Sequence, residues 1–440
     1  MTKYLLKNGT LVDHKHEFKV DLLVEDGKIM KIEANMVADD AEVIDCTNLY
    51  VMPGLIDVHV HFREPGNIEK EDFYSGSRAA VRGGVTTIFD MPNTNPPTTN
   101  PELIEAKIAM AAEKSLINFG VYGGATPHNA QALAAAKDRI MGIKIYMGSS
   151  TGDLLVDKKE YWQEFFSLGM QIVVHAEHEA RIVENTAKFH DIHDPQIHGV
   201  IRGNDVAAMA TERAVALGQE LGTKLHIAHM STKEEVLIVR RAKNEGYSKL
   251  TCEVTPHHLF LNNLMYEQKG NYLRVNPPVR SVEDVRALWE DGIGLNVIDM
   301  VATDHAPHLK VAKDQDYWKA PSGMPGVQEM LLLLLSKVQT DDLTLPRLVE
   351  LTSYNPAKQF AVANKGQLKE GYDADLVIVD MNKKGVLDES MLESRCGWSN
   401  YTGLEFNAWP VKTFVNGNLV WDGEVISDEW KGKLVTRSDV

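Results

Sequence analysis

The sequence predicts an α/β protein made of a (β/α)8 barrel and a small β-sandwich domain formed from both termini. Three observations favour this fold class. Short strand-like segments occur at both ends of the chain, and eight apolar, β-rich segments alternate with helical segments between them. Five of those eight segments end in side chains that can bind a metal ion.

The two ends of the chain contain Asn-Gly and Asp-Gly pairs, which β-hairpins prefer because both residues tolerate a positive φ. The strand-like segments are residues 4–12, 20–24 and 28–33 near the start, and 375–380, 411–415 and 418–421 near the end. We therefore expect residues 1–52 and 366–440 to form one small β domain and residues 53–365 to form the barrel.

The middle of the chain contains segments whose near-continuous hydrophobicity is typical of parallel strands buried on both faces. They are residues 55–60, 86–91, 117–122, 142–147, 171–176, 224–229, 250–254 and 296–304. Intervening segments such as 101–115 have the apolar spacing of helices. Eight strands is the number of a TIM-type barrel, although periodicity alone also fits a doubly wound open sheet.

Composition excludes several classes of function. The 440 residues include 46 Lys+Arg and 62 Asp+Glu, and the net charge of −16 argues against unspecific binding to nucleic acid or to an anionic membrane. Cys46, Cys252 and Cys396 are far apart, so neither a disulfide framework nor a thiolate zinc site is expected. We recognise no secretory signal and no membrane-spanning run, and we expect a cytoplasmic protein.

The residues that carry chemistry lie at strand ends, where (β/α)8 barrels have their active sites. The first strand ends in His59-Val60-His61, and the alternation of strand side chains places both imidazoles on one face. Later strands offer Lys144, His175, His229 and Asp304. Histidine and carboxylate ligands together suit zinc, manganese or iron. A lone buried histidine such as His226 is more often structural, but the whole set predicts a metal centre.

Motifs along the whole chain resemble those of the dihydroorotase, allantoinase and hydantoinase group of the amidohydrolase superfamily. They are PGLIDVHVHFREPG (53–66), GGVTTIFDMPNTNP (83–96), GIKIYMGSSTG (142–152), VVHAE (173–177), HIAHMST (226–232), EVTPHHL (253–259), RVNPPVR (274–280), ATDHAPH (302–308) and KGQLKEGYDADLVIVD (365–380). The Asp-x-His-x-His-x-Arg pattern followed by Glu-Pro-Gly, together with Met-Pro-Asn-Thr, most resembles the dihydroorotase family.

The resemblance implies two zinc ions per subunit, bridged by a hydroxide and by a carboxylated lysine. In this arrangement His59, His61 and Asp304 bind the more buried ion, His175 and His229 bind the more exposed ion, and Lys144 carries the carboxylate. Asp304 also takes the proton of the hydroxide and delivers it to the leaving ring nitrogen. Some members use an aspartate in place of the lysine. Asp153 is therefore the alternative ligand, and an unmodified Lys144 reaching past the strand end is the structural alternative.

The resemblance also implies a small-molecule substrate, dihydroorotate, which is interconverted with N-carbamoyl-aspartate. Arg63, Asn93 and His308 are implied to hold its carboxylate, for which an arginine offers a bidentate fork. Asn276 is implied to bind the ring amide of the substrate. Asn93 and Asn276 also have a structural interpretation, because asparagine next to proline commonly forms turns.

Arg63 has a structural alternative too, a surface ion pair with Glu64 or Glu69.

Two further segments are weaker candidates. Ser150 or Thr151 either touches substrate from a βα loop or caps a helix, and residues 321–326 are expected to shape the rim of the pocket.

Two other functions remain open at this stage. An allantoinase or dihydropyrimidinase would share every metal ligand but would need no carboxylate clamp. A non-catalytic scaffold would typically have lost ligands, and this chain retains all six. The resemblance further implies a homo-oligomer, either a dimer or a tetramer, and it leaves association with aspartate transcarbamoylase open.

Overall fold

The computed structural model describes residues 3–149 and 154–438. The strands are β1 (Tyr4–Lys7), β2 (Thr10–Val12), β3 (Glu17–Lys19), β4 (Asp21–Glu25), β5 (Lys28–Glu33), β6 (Glu42–Asp45), β7 (Tyr50–Pro53), β8 (Leu55–Val60), β9 (Val85–Asp90), β10 (Asn118–Val121), β11 (Gly123–Gly124), β12 (Ile143–Tyr146), β13 (Gln171–His175), β14 (Lys224–Met230), β15 (Leu250–Val254), β16 (Met300–Val301), β17 (Leu376–Asp380), β18 (Gly385–Val386), β19 (Glu405–Phe406), β20 (Trp409–Val415) and β21 (Asn418–Trp421).

The α-helices are α1 (Phe73–Arg82), α2 (Pro101–Lys114), α3 (Ala130–Ala135), α4 (Lys159–Phe166), α5 (Glu179–Lys188), α6 (His198–Ile201), α7 (Asn204–Leu221), α8 (Lys233–Asn244), α9 (Pro256–Phe260), α10 (Tyr266–Lys269), α11 (Val282–Ala287), α12 (Lys310–Lys313), α13 (Met330–Gln339), α14 (Leu345–Val349) and α15 (Asn355–Gln359). Shorter 3-10 segments are Pro195–Ile197, Asn263–Met265, Gly270–Leu273 and Glu389–Met391, and π-helical turns are Leu288–Ile293 and Glu350–Tyr354. Within the described ranges, no helix combines the length and apolar character needed to cross a membrane.

Strands β8 to β16 form a barrel of parallel strands. They pair in the order β8, β9 and β10 in one ladder and β11 to β16 in another. Because β10 and β11 are separated only by Tyr122, the two ladders occupy eight strand positions. The barrel closes where Val60 bridges to His305 and the His61 N–H donates to the His305 carbonyl at 2.8 Å. This closure distinguishes the barrel from the doubly wound alternative.

The predicted barrel segments all contain strands, but the eighth strand is much shorter than expected. Of residues 296–304, only Met300–Val301 pairs as a strand. Asp304, three residues beyond the last paired residue, has a φ of 48°, in the left-handed region. Pairing in this strand thus ends before the candidate ligand Asp304.

The inside of the barrel is filled by large apolar side chains from its strands, among them Ile56, Phe89, Tyr122 and Met300. Phe360 packs against this cluster, as does Val435 from the C-terminal segment. The C-terminal segment runs beside β10, where the Val435 N–H donates to the Phe119 carbonyl and the Phe119 N–H donates to the Lys433 carbonyl. The interior is thus a packed core that supports the strand ends.

The two ends of the chain meet in a pair of sheets. One sheet has the order β5-β4-β1-β6, and the other, β21-β20-β17-β7-β2-β3, combines strands from both ends. Leu22 and Ile29 of the first sheet pack with Leu11, Ile378 and Phe414 of the second. The predicted hairpin turns form at residues 26–27 and 416–417, where all four residues have positive φ. The exact domain boundaries stay a prediction.

Candidate metal centre and substrate cavity

His59, His61 and Asp304 form a buried group at the mouth of the barrel. Their ligand atoms lie within 4.8 Å of one another. Asp304 Oδ1 is 2.9 Å from His61 Nε2 and 3.3 Å from His59 Nε2. His59 is the fifth residue of β8 and His61 follows its last residue, so strand alternation puts both rings on the same side. The group offers the nitrogen and oxygen ligands that divalent transition metals prefer.

His175 and His229 form a second pair of facing imidazoles. His175 ends β13, His229 lies near the end of β14, and their Nδ1 and Nε2 atoms are 3.0 Å apart. The ring centroids of His59 and His229 are separated by 5.3 Å, so the pair adjoins the first group. The structure therefore brings together the histidines that the sequence placed on separate strands.

Lys144 is the remaining predicted ligand, and its side chain is fully buried. It is the second of four residues in β12, but its longer side chain reaches further than a histidine would. Within the described ranges, its Nζ has no hydrogen-bond partner. Burial lowers the pKa of Lys144 to about 8, against the opposing effect of Glu253 and Asp304. A buried amine without a partner is costly, and a metal-bridging carbamate on this nitrogen would remove that cost.

The second ring nitrogens of two candidate ligands, His59 and His175, contact glutamates that the sequence interpretation missed. His59 Nδ1 lies 2.5 Å from Glu253 Oε1, and His175 Nε2 lies 2.8 Å from Glu177 Oε2. Metal-binding histidines characteristically direct their second nitrogen to a carboxylate in this way, because it fixes the ring and the tautomer. Both glutamates stand inside the motifs VVHAE and EVTPHHL, so the signal was in the sequence. His226 contacts the same Glu253 and Thr251, which supports its structural interpretation.

The electrostatics leave the centre ready for a cation. Burial lowers the pKa of His61 to about 3 and that of His229 well below its usual value, so both imidazoles are neutral and present a lone pair. Burial alone would raise the pKa of Asp304, but His59 and His61 hold it well below its usual range. Neutral imidazoles and an ionised carboxylate are the protonation states that metal binding requires. The residues present therefore fit a metal cofactor.

Three site residues have backbones in the left-handed region, which non-glycine residues seldom adopt. Their φ angles are 64° for Arg63, 39° for His229 and 48° for Asp304. Such conformations persist only where the surrounding structure enforces them, and they concentrate at functional sites. The strain supports the view that this end of the barrel is the active site.

A small cavity adjoins the first ligand group. It is lined by the predicted residues His61, Arg63, Asn93, Asn276 and Asp304, together with Val275, Ala306, Ser322 and Gly323. The last two belong to the segment expected at the rim. Asn93 Oδ1 lies 2.7 Å from His61 Nδ1, so this side chain also orients a candidate ligand. The turn interpretation therefore does not account for Asn93 by itself.

Arg63 is buried beside this cavity, with His308 behind it. Its NH2 group is 3.2 Å from His308 Nε2, and its Nε donates to the Pro307 carbonyl at 3.2 Å. Over the ranges described, it forms no ion pair with Glu64 or Glu69, and Glu64 instead pairs with Lys114. The surface ion-pair interpretation of Arg63 is not supported.

Ser150, Thr151 and the alternative ligand Asp153 lie outside the described residues.

A comparison with protein families matches residues 50–420 to the amidohydrolase family, and the chain belongs to that family. Curated relatives that align over nearly its whole length are dihydroorotases. The one from Methanosarcina mazei is 37% identical over 98% of both chains. The one from Halobacterium salinarum is 39% identical and covers 92% of this chain and 97% of its own. Membership makes the protein an enzyme that acts on a small-molecule substrate with a metal cofactor.

Similar solved structures include hydantoinases. An L-hydantoinase (dihydropyrimidinase) from Arthrobacter aurescens is 33% identical, covers 99% of this chain and 100% of its own, and has a TM-score of 0.93. A D-hydantoinase is 28% identical, covers 99% of both chains and has a TM-score of 0.92. These matches confirm the predicted barrel with its β-rich domain. The curated relatives are thus named dihydroorotases, whereas the similar solved structures are named hydantoinases.

Proposed function

We infer that this protein is a dihydroorotase, which reversibly hydrolyses the cyclic amide of dihydroorotate to N-carbamoyl-aspartate. One observation favours dihydroorotase activity over hydantoinase activity. Arg63 is buried beside the cavity next to the metal centre, with His308 against its guanidinium. Among the described residues Arg63 forms no ion pair with a carboxylate, which suits an anionic substrate, whereas a neutral ring has no use for a buried guanidinium. The full-length curated relatives support the same choice.

We further propose that the cofactor is zinc, with two ions per subunit. His59, His61 and Asp304 would hold one ion, His175 and His229 the other, and Lys144 would join them after its neutral amine adds to carbon dioxide and loses a proton. Bound zinc would polarise the scissile carbonyl and lower the pKa of a water molecule towards neutrality. The unpartnered Nζ of Lys144 supports this assignment.

The chain's own side chains then have distinct tasks. Asp304, ionised and at the edge of the cavity, accepts a proton from the attacking water and returns it to the ring nitrogen as the C–N bond breaks. Arg63 and Asn93 orient the substrate carboxylate, and His308 holds the Arg63 guanidinium in place. In the reverse direction, Asp304 deprotonates the ureido nitrogen as the ring closes. A cytoplasmic location, a homo-oligomeric state and association with aspartate transcarbamoylase stay predictions.

A substrate comparison tests the proposed function. The enzyme purified with zinc and bicarbonate is expected to hydrolyse dihydroorotate with a kcat/KM at least about 100-fold above that for dihydrouracil or allantoin, because only dihydroorotate uses the charged clamp. Ultraviolet absorbance and product analysis measure the three rates. Turnover of dihydrouracil or allantoin without turnover of dihydroorotate would move the chain to the hydantoinase side of the family.

Replacing Arg63 tests the clamp directly. Arg63→Met is expected to lower kcat/KM for dihydroorotate by about 100-fold, mainly through KM, because it removes charge-assisted hydrogen bonds to the carboxylate. Metal content, measured on the same sample, should stay unchanged. Arg139→Gln, which removes an exposed arginine paired with Glu105, is the matched control and should retain activity. An unchanged KM in Arg63→Met would contradict the carboxylate clamp.

A further inference from the structure

His198 is a buried histidine outside the metal centre, and its ring meets three oxygen atoms. At the start of α6, its Nε2 lies 3.0 Å from the Val275 carbonyl oxygen and 2.9 Å from Asn276 Oδ1. Its Nδ1 lies 3.0 Å from the Tyr317 hydroxyl. The residue is 2% exposed, and these are its hydrogen-bond contacts among the described residues. No motif in the sequence singled this residue out.

The three contacts determine where the ring carries its proton. A backbone carbonyl oxygen can only accept a hydrogen bond, so the nitrogen facing Val275 must be the donor. Burial, reinforced by Arg274 and Arg202, lowers the pKa of His198 well below its usual value, so the ring carries one proton. That proton is on Nε2, and the Tyr317 hydroxyl donates to the lone pair on Nδ1.

This proton placement also orients the neighbouring amide. Because His198 Nε2 donates, the Asn276 atom that faces it must be the acceptor Oδ1, and the amide Nδ2 is turned away. Asn276 lines the substrate cavity. Within the ranges described, no hydrogen bond occupies its Nδ2. The Nδ2 group therefore remains able to donate to a molecule in the cavity.

We propose that His198 is a positioning residue, which holds the Asn276 amide so that its N–H group donates to a carbonyl oxygen of the cyclic substrate. The proposal rests on the dihydroorotase function and makes the role of Asn276 specific, because the side chain reads an acceptor of the ring amide and not its N–H. The support for His198 is itself rigid. The Arg274 guanidinium lies 4.4 Å from the Tyr317 ring centroid, and Arg274 also donates to the Tyr317 carbonyl.

The polarity of Asn276 is tested by two substitutions. Asn276→Ala removes the donor and is expected to lower kcat/KM for dihydroorotate by about 10-fold. Asn276→Asp keeps an acceptor for His198 but turns a negative oxygen towards the substrate carbonyl, and it should lower kcat/KM by at least about 100-fold. An aspartate variant as active as the alanine variant, or more so, would overturn the donor assignment.

The part played by His198 is tested with a double-mutant cycle. His198→Leu is expected to lower kcat/KM by about 10-fold in the wild-type background and by less than about twofold in the Asn276→Ala background, because the lost contact acts through Asn276. Tyr317→Phe, which removes the contact on the other ring nitrogen, is the matched control and should cost less than about threefold. A second full 10-fold loss in the Asn276→Ala background would overturn the proposal.

Further variants distinguish a folding defect, a failure of the proposed function and a failure of the positioning role. If His198→Leu does not fold, His198→Phe enters the cycle, and the Asn276 comparison needs no change at His198. His198→Gln retains a donor and should recover part of the lost kcat/KM. A wild-type enzyme that does not hydrolyse dihydroorotate would overturn the proposed function. An active wild type with an additive cycle would overturn the positioning role alone.

Discussion

Lys144→Ala is expected to lose bound metal and hydrolytic activity together, with kcat falling by at least about 1,000-fold, because Lys144 is proposed to carry a ligand shared by two ions and its removal would disrupt both sites. In the structure the Lys144 side chain is fully buried, and its amine has no hydrogen-bond partner among the described residues. The loss should therefore follow from the metal, with the barrel still folded.

Metal analysis and kinetics on the same preparation measure this effect, and circular dichroism checks folding. Adding a small carboxylate such as propionate should restore part of the activity of Lys144→Ala, because it can occupy the vacated space and supply two oxygens. Asp153→Ala is the matched variant and should change activity only slightly. The reverse pattern, with a mild Lys144 variant and an inactive Asp153 variant, would assign the bridge to the aspartate.

Asp304→Asn should lower kcat by about 100-fold to 10,000-fold, the range typical of a lost general acid and base. The amide keeps the size of the side chain and one oxygen near His59 and His61, but it cannot accept and return a proton. Because the substrate clamp is untouched, KM should change little. The predicted signature is a loss confined to the chemical step.

Steady-state kinetics with a metal determination distinguish this outcome from simple metal loss. Glu235→Gln is the matched control. Glu235 is also buried near a strand end, but it accepts hydrogen bonds from Ser231 and Thr232 in the capping box of α8. That variant should remain within about threefold of wild type. If Asp304→Asn kept more than a tenth of wild-type kcat with full metal content, proton transfer would belong to another group.

Much of the barrel could be predicted from local sequence because buried parallel strands leave a continuous apolar signal. Strands β8 and β13, for example, fall inside the predicted segments 55–60 and 171–176. The eighth strand could not be bounded in this way. The apolar run extends to residue 304, but pairing stops at Val301, and Asp304 has a left-handed backbone that an apolar pattern does not reveal.

The sequence by itself determined the fold class and the candidate ligands, since period-two alternation places His59 and His61 on one face and each later strand adds its own side chain. Only the tertiary structure decided which groups support them. Glu253 behind His59, His308 behind Arg63 and His198 behind Asn276 are each more than 70 residues away from their partners along the chain. Hydrogen bonds between such distant residues depend on barrel closure and side-chain packing, which leave no local periodicity to read.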